Sequence, residues 1–278
     1  TNDFTVTNLA ATDQVKDSPS NNFCTLNPLD KDTFSGYSLT EGNLEMKGSA
    51  TSDTGRVRST FNIDSGKWYW EIYLVGFEGS TARRGGIGVG DAISNETWTT
   101  ACTEAGIVTL GNLNGQTHNT TYSGVGDSWT TAAAGQIWSV AFDADAGTMI
   151  ITRDAAITGS ESTGKWTGFA TSTVGYRPIT VEQSGSDYTE FVYNFGQDSS
   201  FAGAKTAQGN SDGNSKGDFY YTPPSGYLAL CTDNLSDPGI ALPTAHFNTV
   251  LYAGNGGTQS VTGAGFAPDF VCIKNRTD

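Results

Sequence analysis

The sequence predicts an all-β protein, a two-sheet antiparallel β-sandwich with extra strands at its termini. Three observations predict it. Segments rich in aromatic and β-branched residues alternate with a period of two. Thirty-five glycines, set among abundant Thr, Ser and Asn, mark many tight turns. No window of more than about ten residues keeps apolar positions at helical spacing without glycine or β-branched interruption.

The elements follow in order. In residues 67–74, Trp68, Trp70, Ile72 and Leu74 share one parity and Tyr69, Glu71 and Tyr73 the other. A strand there sends the first set to a core and the second to a wetter face. Residues 85–90, Gly-Gly-Ile-Gly-Val-Gly, read as a strand where two sheets approach closely, because glycine removes side-chain bulk. Residues 136–142 alternate again, with Trp138, Val140 and Phe142 together, and run through a glycine-containing turn at 143–147 into 148–152. That is a hairpin. Phe191, Tyr193 and Phe195 align in one more strand. Short one-turn helical pieces are expected near 100–105 and 198–201.

The organisation divides into an N-terminal extension (1–17), a sandwich (18–231), a connector (232–243) and a strand-forming tail (244–278). Residues 200–218 are polar and glycine-rich and read as a mobile loop. Tail strands are expected at 247–252, 259–262 and 270–274. They pack on the sandwich or begin a second domain, since two or three strands bury no core of their own. The chain opens on Thr without a signal peptide, so it is expected to be processed or cut from something longer.

Charge narrows the partners. With 29 acidic against 15 basic residues the net charge is −14, and the densest basic cluster is the pair Arg83–Arg84. Phosphate backbones require a basic stripe, so nucleic acid is not an expected partner, and anionic membrane surfaces are disfavoured for the same reason. No apolar run is long enough for a membrane-spanning helix.

Four cysteines (Cys24, Cys102, Cys231, Cys272) lie far apart with no C-x-x-C pair, unlike the usual zinc and redox spacings. Buried free thiols are the simplest reading. If the terminal strands pair, Cys24 and Cys231 become neighbours, and geometry decides between thiols and a disulfide.

Chemistry is sparse. His118 and His246 are far apart, and neither a G-x-S-x-G elbow nor an H-E-x-x-H motif occurs. For a glycosidase the nearest carboxylate in aromatic context is Glu71, which reads more simply as a lone solvent-facing glutamate. Asp143 and Asp145 begin a D-x-D-x-G loop but lack the later oxygen ligands of a calcium-binding hand, so capping of turn amides accounts for them. Asp212, Asn214 and Asp218 sit in the polar loop and read as solvated. No cofactor is expected, and a structural calcium at these turns is the one addition the oxygen ligands suggest. Tyr69, Tyr73, Trp98, Tyr122, Trp129 and Trp166 are candidate stacking platforms, with core filling as the competing use.

The order of the signatures resembles a SPRY domain, a concanavalin A-like jelly roll. Residues 66–71 (Gly-Lys-Trp-Tyr-Trp-Glu) and 86–89 (Gly-Ile-Gly-Val) resemble its first half. Residues 135–143 with the following hairpin resemble its central segment, and Tyr176 to Ile179 and Val192 to Gly196 its closing strands. The pattern departs at Arg153-Asp154-Ala155-Ala156, where the family carries Asn-Gly. Residues 17–29, 221–227 and 258–271 are similar to the flanks of SPRY-containing virion proteins of marine tailed phages. The resemblance implies a bent sandwich whose loops carry binding: 78–84, 112–121 and 159–169. Within and beside them Arg83, Arg84, Asn112, Asn114, His118, Tyr122 and Trp166 are the candidate binding surface. It implies a non-enzymatic virion structural or adhesion protein of a tail fibre, spike or surface appendage, facing outward. Its expected partners are copies of itself, other virion proteins and a host-surface glycan or protein. A secreted or cell-surface carbohydrate-binding, lectin-like module is the alternative, and a glycan-degrading enzyme ranks behind both.

Overall fold

The computed structural model describes residues 15–31, 37–48, 54–78, 84–91, 106–109, 123–125, 132–161, 164–169, 175–183, 188–236 and 242–275. Two sheets make the body. One runs in the order β1 (Leu26–Lys31), β4 (Thr54–Ser59), β12 (Tyr176–Gln183), β6 (Arg84–Asp91) and β7 (Gly106–Thr109). The other runs β2 (Tyr37–Thr40), β3 (Glu45–Gly48), β13 (Tyr188–Asn194), β5 (Lys67–Glu78), β9 (Ile137–Asp143), β10 (Thr148–Arg153), β11 (Lys165–Thr167) and β8 (Ser123–Val125). These ladders are antiparallel, and a short β14 (Leu228–Ala229) adds to β5 in parallel. The fold is an all-β sandwich.

Alternation fills its centre. Trp70, Ile72 and Leu74 of β5 and Trp138, Val140 and Phe142 of β9 face Leu26, Val57, Ile87 and Val89 of the opposing sheet, all buried in one apolar cluster. Period two also settles β6. Ile87 and Val89 take the core side, so Gly88 and Gly90 lie on the opposite face. Gly88 and Gly90 therefore do not line the gap between sheets, as the sequence suggests; valine and isoleucine fill it there.

The hairpin expected at 143–147 joins β9 to β10, with Asp143 opposite Thr148. Gly147 has φ +62°, and a Cβ there would stand 2.2 Å from the Phe169 carbonyl oxygen. Where the SPRY pattern carries Asn-Gly, Asp154 adopts φ +52°. Its amide donates to the Ile137 carbonyl at 2.8 Å, and its Oδ1 accepts the Ile137 amide at 2.8 Å. A short polar side chain bonded to local backbone tolerates this left-handed geometry. The one-turn piece near 198–201 forms as a turn, with Asp198 accepting the amides of Ser200 and Ala202. The piece near 100–105 and residues 1–14 of the N-terminal extension lie outside the described residues.

Residues 200–218 depart from the mobile loop that composition suggests. They belong to a cover, residues 195–231, that is hydrogen-bonded throughout and buries Phe201 and Phe219. Polar residues there serve the backbone rather than solvent. Ser199 Oγ accepts the Gln208 amide at 2.9 Å, and Asn210 and Phe219 exchange both backbone hydrogen bonds.

The chain divides into two compact units, residues 1–234 and 235–278. In the second, the strands expected at 247–252, 259–262 and 270–274 are not formed among the described residues; a 3₁₀ turn, Pro243–Ala245, is its regular element. A strand needs a neighbour for its N–H and C=O groups, and the segment supplies none to itself.

Candidate functional site

The outer face of the nine-stranded sheet carries a cluster of buried polar groups with strongly shifted electrostatics. Tyr69, Glu71 and Tyr73 point there from β5, as their parity requires. That face is not wet. The cover lies over it, with Phe219 edge-on to Tyr69 at 5.0 Å and Phe201 against Tyr73 at 5.5 Å. The Lys205 ammonium sits 5.3 Å from the Tyr73 ring centre.

Glu71 is fully buried, contrary to the solvent-facing glutamate read from sequence. Its Oε1 accepts the Tyr69 hydroxyl at 2.9 Å and the Tyr221 amide at 2.7 Å. Its Oε2 accepts the Asn194 side-chain amide at 3.1 Å and the Tyr220 amide at 2.8 Å. Ser139 Oγ lies 3.1 Å from the Tyr69 hydroxyl, and Asn194 Nδ2 also donates to the Asp218 carbonyl at 2.8 Å. Loss of hydration outweighs these bonds and pushes the Glu71 carboxyl up to about 7. Tyr69 is raised as well, by burial first and by the neighbouring carboxylate second. Both Glu71 oxygens are engaged and turned inward, so here the side chain links the cover to the sheet.

Asp212 fastens the cover's other end. Its Oδ1 accepts the amides of Asn214 and Lys216 at 2.8 and 2.9 Å, and its Oδ2 accepts the Ala229 amide at 2.8 Å and Asn234 Nδ2 at 2.7 Å. It is a buried hub, not a solvated loop acid. Four N–H donors occupy the positions from which a carboxylate would bind a cation.

The calcium candidates are likewise engaged. Asp143 Oδ1 accepts the Ala146 amide at 2.8 Å, and the Lys67 ammonium lies 3.1 Å from its Oδ2. Asp145 Oδ1 accepts the Gly66 amide at 3.0 Å. Lysine thus supplies the positive charge beside Asp143. Among the described residues no group of three or more His, Cys, Asp or Glu side chains gathers as a metal site.

The predicted binding surface is placed only in part. Arg83, Asn112, Asn114, His118 and Tyr122, like Trp98 and Trp129, lie outside the described residues, as does the side chain of Arg84. Trp166 is described and is no platform. It is 2 % exposed, because the middle residue of β11 turns into the core while Lys165 and Thr167 face away.

Cys24 and Cys231 are both buried free thiols. Their strands do pair, as Phe23 bridges Cys231 and the Cys24 amide donates to the Leu230 carbonyl at 2.8 Å. Alternation then separates the sulfurs: Cys24 enters the central core, and Cys231 joins Phe23 and Phe219 on the other side of the sheet. Cys272 is exposed in the second unit, and Cys102 lies outside the described residues.

The cover is what sequence reading missed. The signal for it was present: two tyrosines and a glutamate on one strand face form too apolar a set for open water, and Phe219-Tyr220-Tyr221 is the aromatic segment that meets them.

Comparison with known proteins adds the following. Residues 242–278 match a family model described as a domain of unknown function, DUF7483. No curated protein matches the chain. Among solved structures the chain is similar to the SPRY domain of human HERC1, with a TM-score of 0.43 and 11 % identity over 60 % of this chain and 96 % of that one. It is also similar to stonustoxin, with a TM-score of 0.37 and 9 % identity over 61 % of this chain, and it spans 28 % of the stonustoxin chain.

Proposed function

We propose that this chain is a non-enzymatic structural and adhesion protein of a virion appendage, a tail fibre or spike component that makes protein or glycan contacts. The observation that carries a contact-making role lies in the second unit. Phe247, Leu251, Phe270 and Ile273 are each more than 70 % exposed, and Leu242, Val261 and Val271 of the same unit are exposed too. Apolar side chains concentrated this way favour burial against a partner. The virion setting rests on the sequence resemblance of residues 17–29, 221–227 and 258–271 to phage proteins. Copies of the chain, neighbouring virion proteins and a host-surface glycan or protein are the partners this reading names.

The test is proteomics and immunogold labelling of gradient-purified particles, with a glycan array probed by the isolated chain. Stoichiometric presence in particles, with label on an external appendage, is the expected result. Absence from purified particles would sink the reading, and specific glycan binding by a particle-free protein would replace it with a secreted lectin.

A further inference from the structure

Glu71 holds the cover in an unusual way. Its four donors, Tyr69, Asn194 and the backbone amides of Tyr220 and Tyr221, are all neutral. Among the described residues no Lys, Arg or His forms an ion pair with it. A carboxylate closed off this way gives up hydration that neutral donors replace only in part. Two donors, Tyr69 and Asn194, belong to the sheet, and two travel with the cover. Lifting residues 219–221 therefore breaks two hydrogen bonds and readmits water to the carboxylate. The gain from water belongs to the anion.

We propose that Glu71 is a proton-controlled latch, so that residues 219–221 lift from the sheet more readily once its carboxyl is ionised. The direction follows from linkage. Burial raises the closed-state carboxyl from 4.5 to about 7, so the closed state binds the proton more tightly than an open, hydrated one. Closure is strongest below pH 4.5, weakens between 4.5 and 7, and is level above that. The other ionisable groups on this face of β5 and in the cover lying over it include Tyr69 and Tyr73 on β5 and Tyr220, Tyr221, Asp218 and Lys205 on the cover, with Asp154 after β10 acting on Tyr221. Burial, with Asp154 as the next cause, pushes Tyr221 up to about 12, and Tyr69 is raised too, so neither phenol titrates in that window.

Amide hydrogen exchange of the full chain tests this, with Val140 and Ala141 in β9 reporting global opening. After correction for intrinsic rates, protection of the Tyr220 and Tyr221 amides should fall about 70-fold from pH 5 to pH 8, while remaining below that of the β9 amides. Glu71→Gln should flatten the profile. Tyr69→Phe, which keeps the ring and removes one donor to the anion, should move the fall to higher pH. Wild-type protection constant within twofold would overturn the latch. So would exchange of Tyr220 and Tyr221 only together with β9, or a slope that persists in Glu71→Gln.

Discussion

Asp212→Ala measures how much the hub at the far end of the cover contributes. The side chain accepts four N–H groups, and the loss differs among them. The Asn214 amide is on an exposed residue and turns to water, as the Lys216 amide does in part; Asn234 Nδ2 keeps its bond to the Ala229 carbonyl at 2.9 Å. The Ala229 amide has no such recourse, because Ala229 is fully buried beside β5. A buried donor left unsatisfied costs about 1–3 kcal/mol, and the lost charge-assisted bonds add about 1–2 kcal/mol. The expected destabilisation is therefore roughly 2–5 kcal/mol, a large share of the ~5–15 kcal/mol available to a typical domain. Urea unfolding followed by tryptophan fluorescence reads it as a lower midpoint at unchanged slope. Asp212→Asn keeps one acceptor oxygen and should recover about half of the loss. A loss below about 1 kcal/mol for the alanine variant would refute the hub. Calcium stabilisation of wild type that disappears in Asp212→Ala would refute it differently, by showing that Asp212 oxygens serve an ion rather than amides.

Three further outcomes follow from the same geometry. Gly147→Ala places a methyl at φ +62° and 2.2 Å from the Phe169 carbonyl, and should cost at least about 2 kcal/mol by the same unfolding assay. Trp166→Ala should cost about 3–5 kcal/mol, as a core truncation does, whereas an exposed platform would lose ligand binding with stability intact. Cys24 and Cys231 should both alkylate in denaturant without reductant and resist alkylation when native, read by intact mass; a mass two hydrogens lower and resistant in denaturant would indicate a disulfide.

What could be read along the chain was whatever local periodicity controls. The tryptophans of β5 and β9 lie inside because two-residue alternation is a property of neighbours. The hairpin at Gly147 was legible for the same reason. Glu71 was not. Its parity was correct, but its environment comes from Asn194, 123 residues on, and from Tyr220 and Tyr221, 149 and 150 residues on. The glycines of β6 mark a different failure. Composition announced close approach, while only the partner sheet reveals which face approaches what. Trp166 fell between the two cases, since a three-residue strand is too short for alternation to declare itself.

The covered sheet also constrains where a partner can dock. Tyr69, Phe219 and Ala229 are buried between the nine-stranded sheet and the chain's own residues 195–231, so that face is already occupied. On the five-stranded sheet, Gly88, Gly90, Arg58 and Ile179 are buried as well. Arg58 lies opposite Ile179 in the ladder, and Arg58 and Arg177 both pair with Asp30 on β1. At these described positions neither sheet offers an open face. Among the described residues, exposed apolar side chains are concentrated in the second unit, so the proposed contacts would draw on them rather than on these buried positions. Loops on a packed scaffold tolerate sequence change more readily than the sheets beneath them, so recognition built outside the buried positions of both sheets could vary without disturbing the fold.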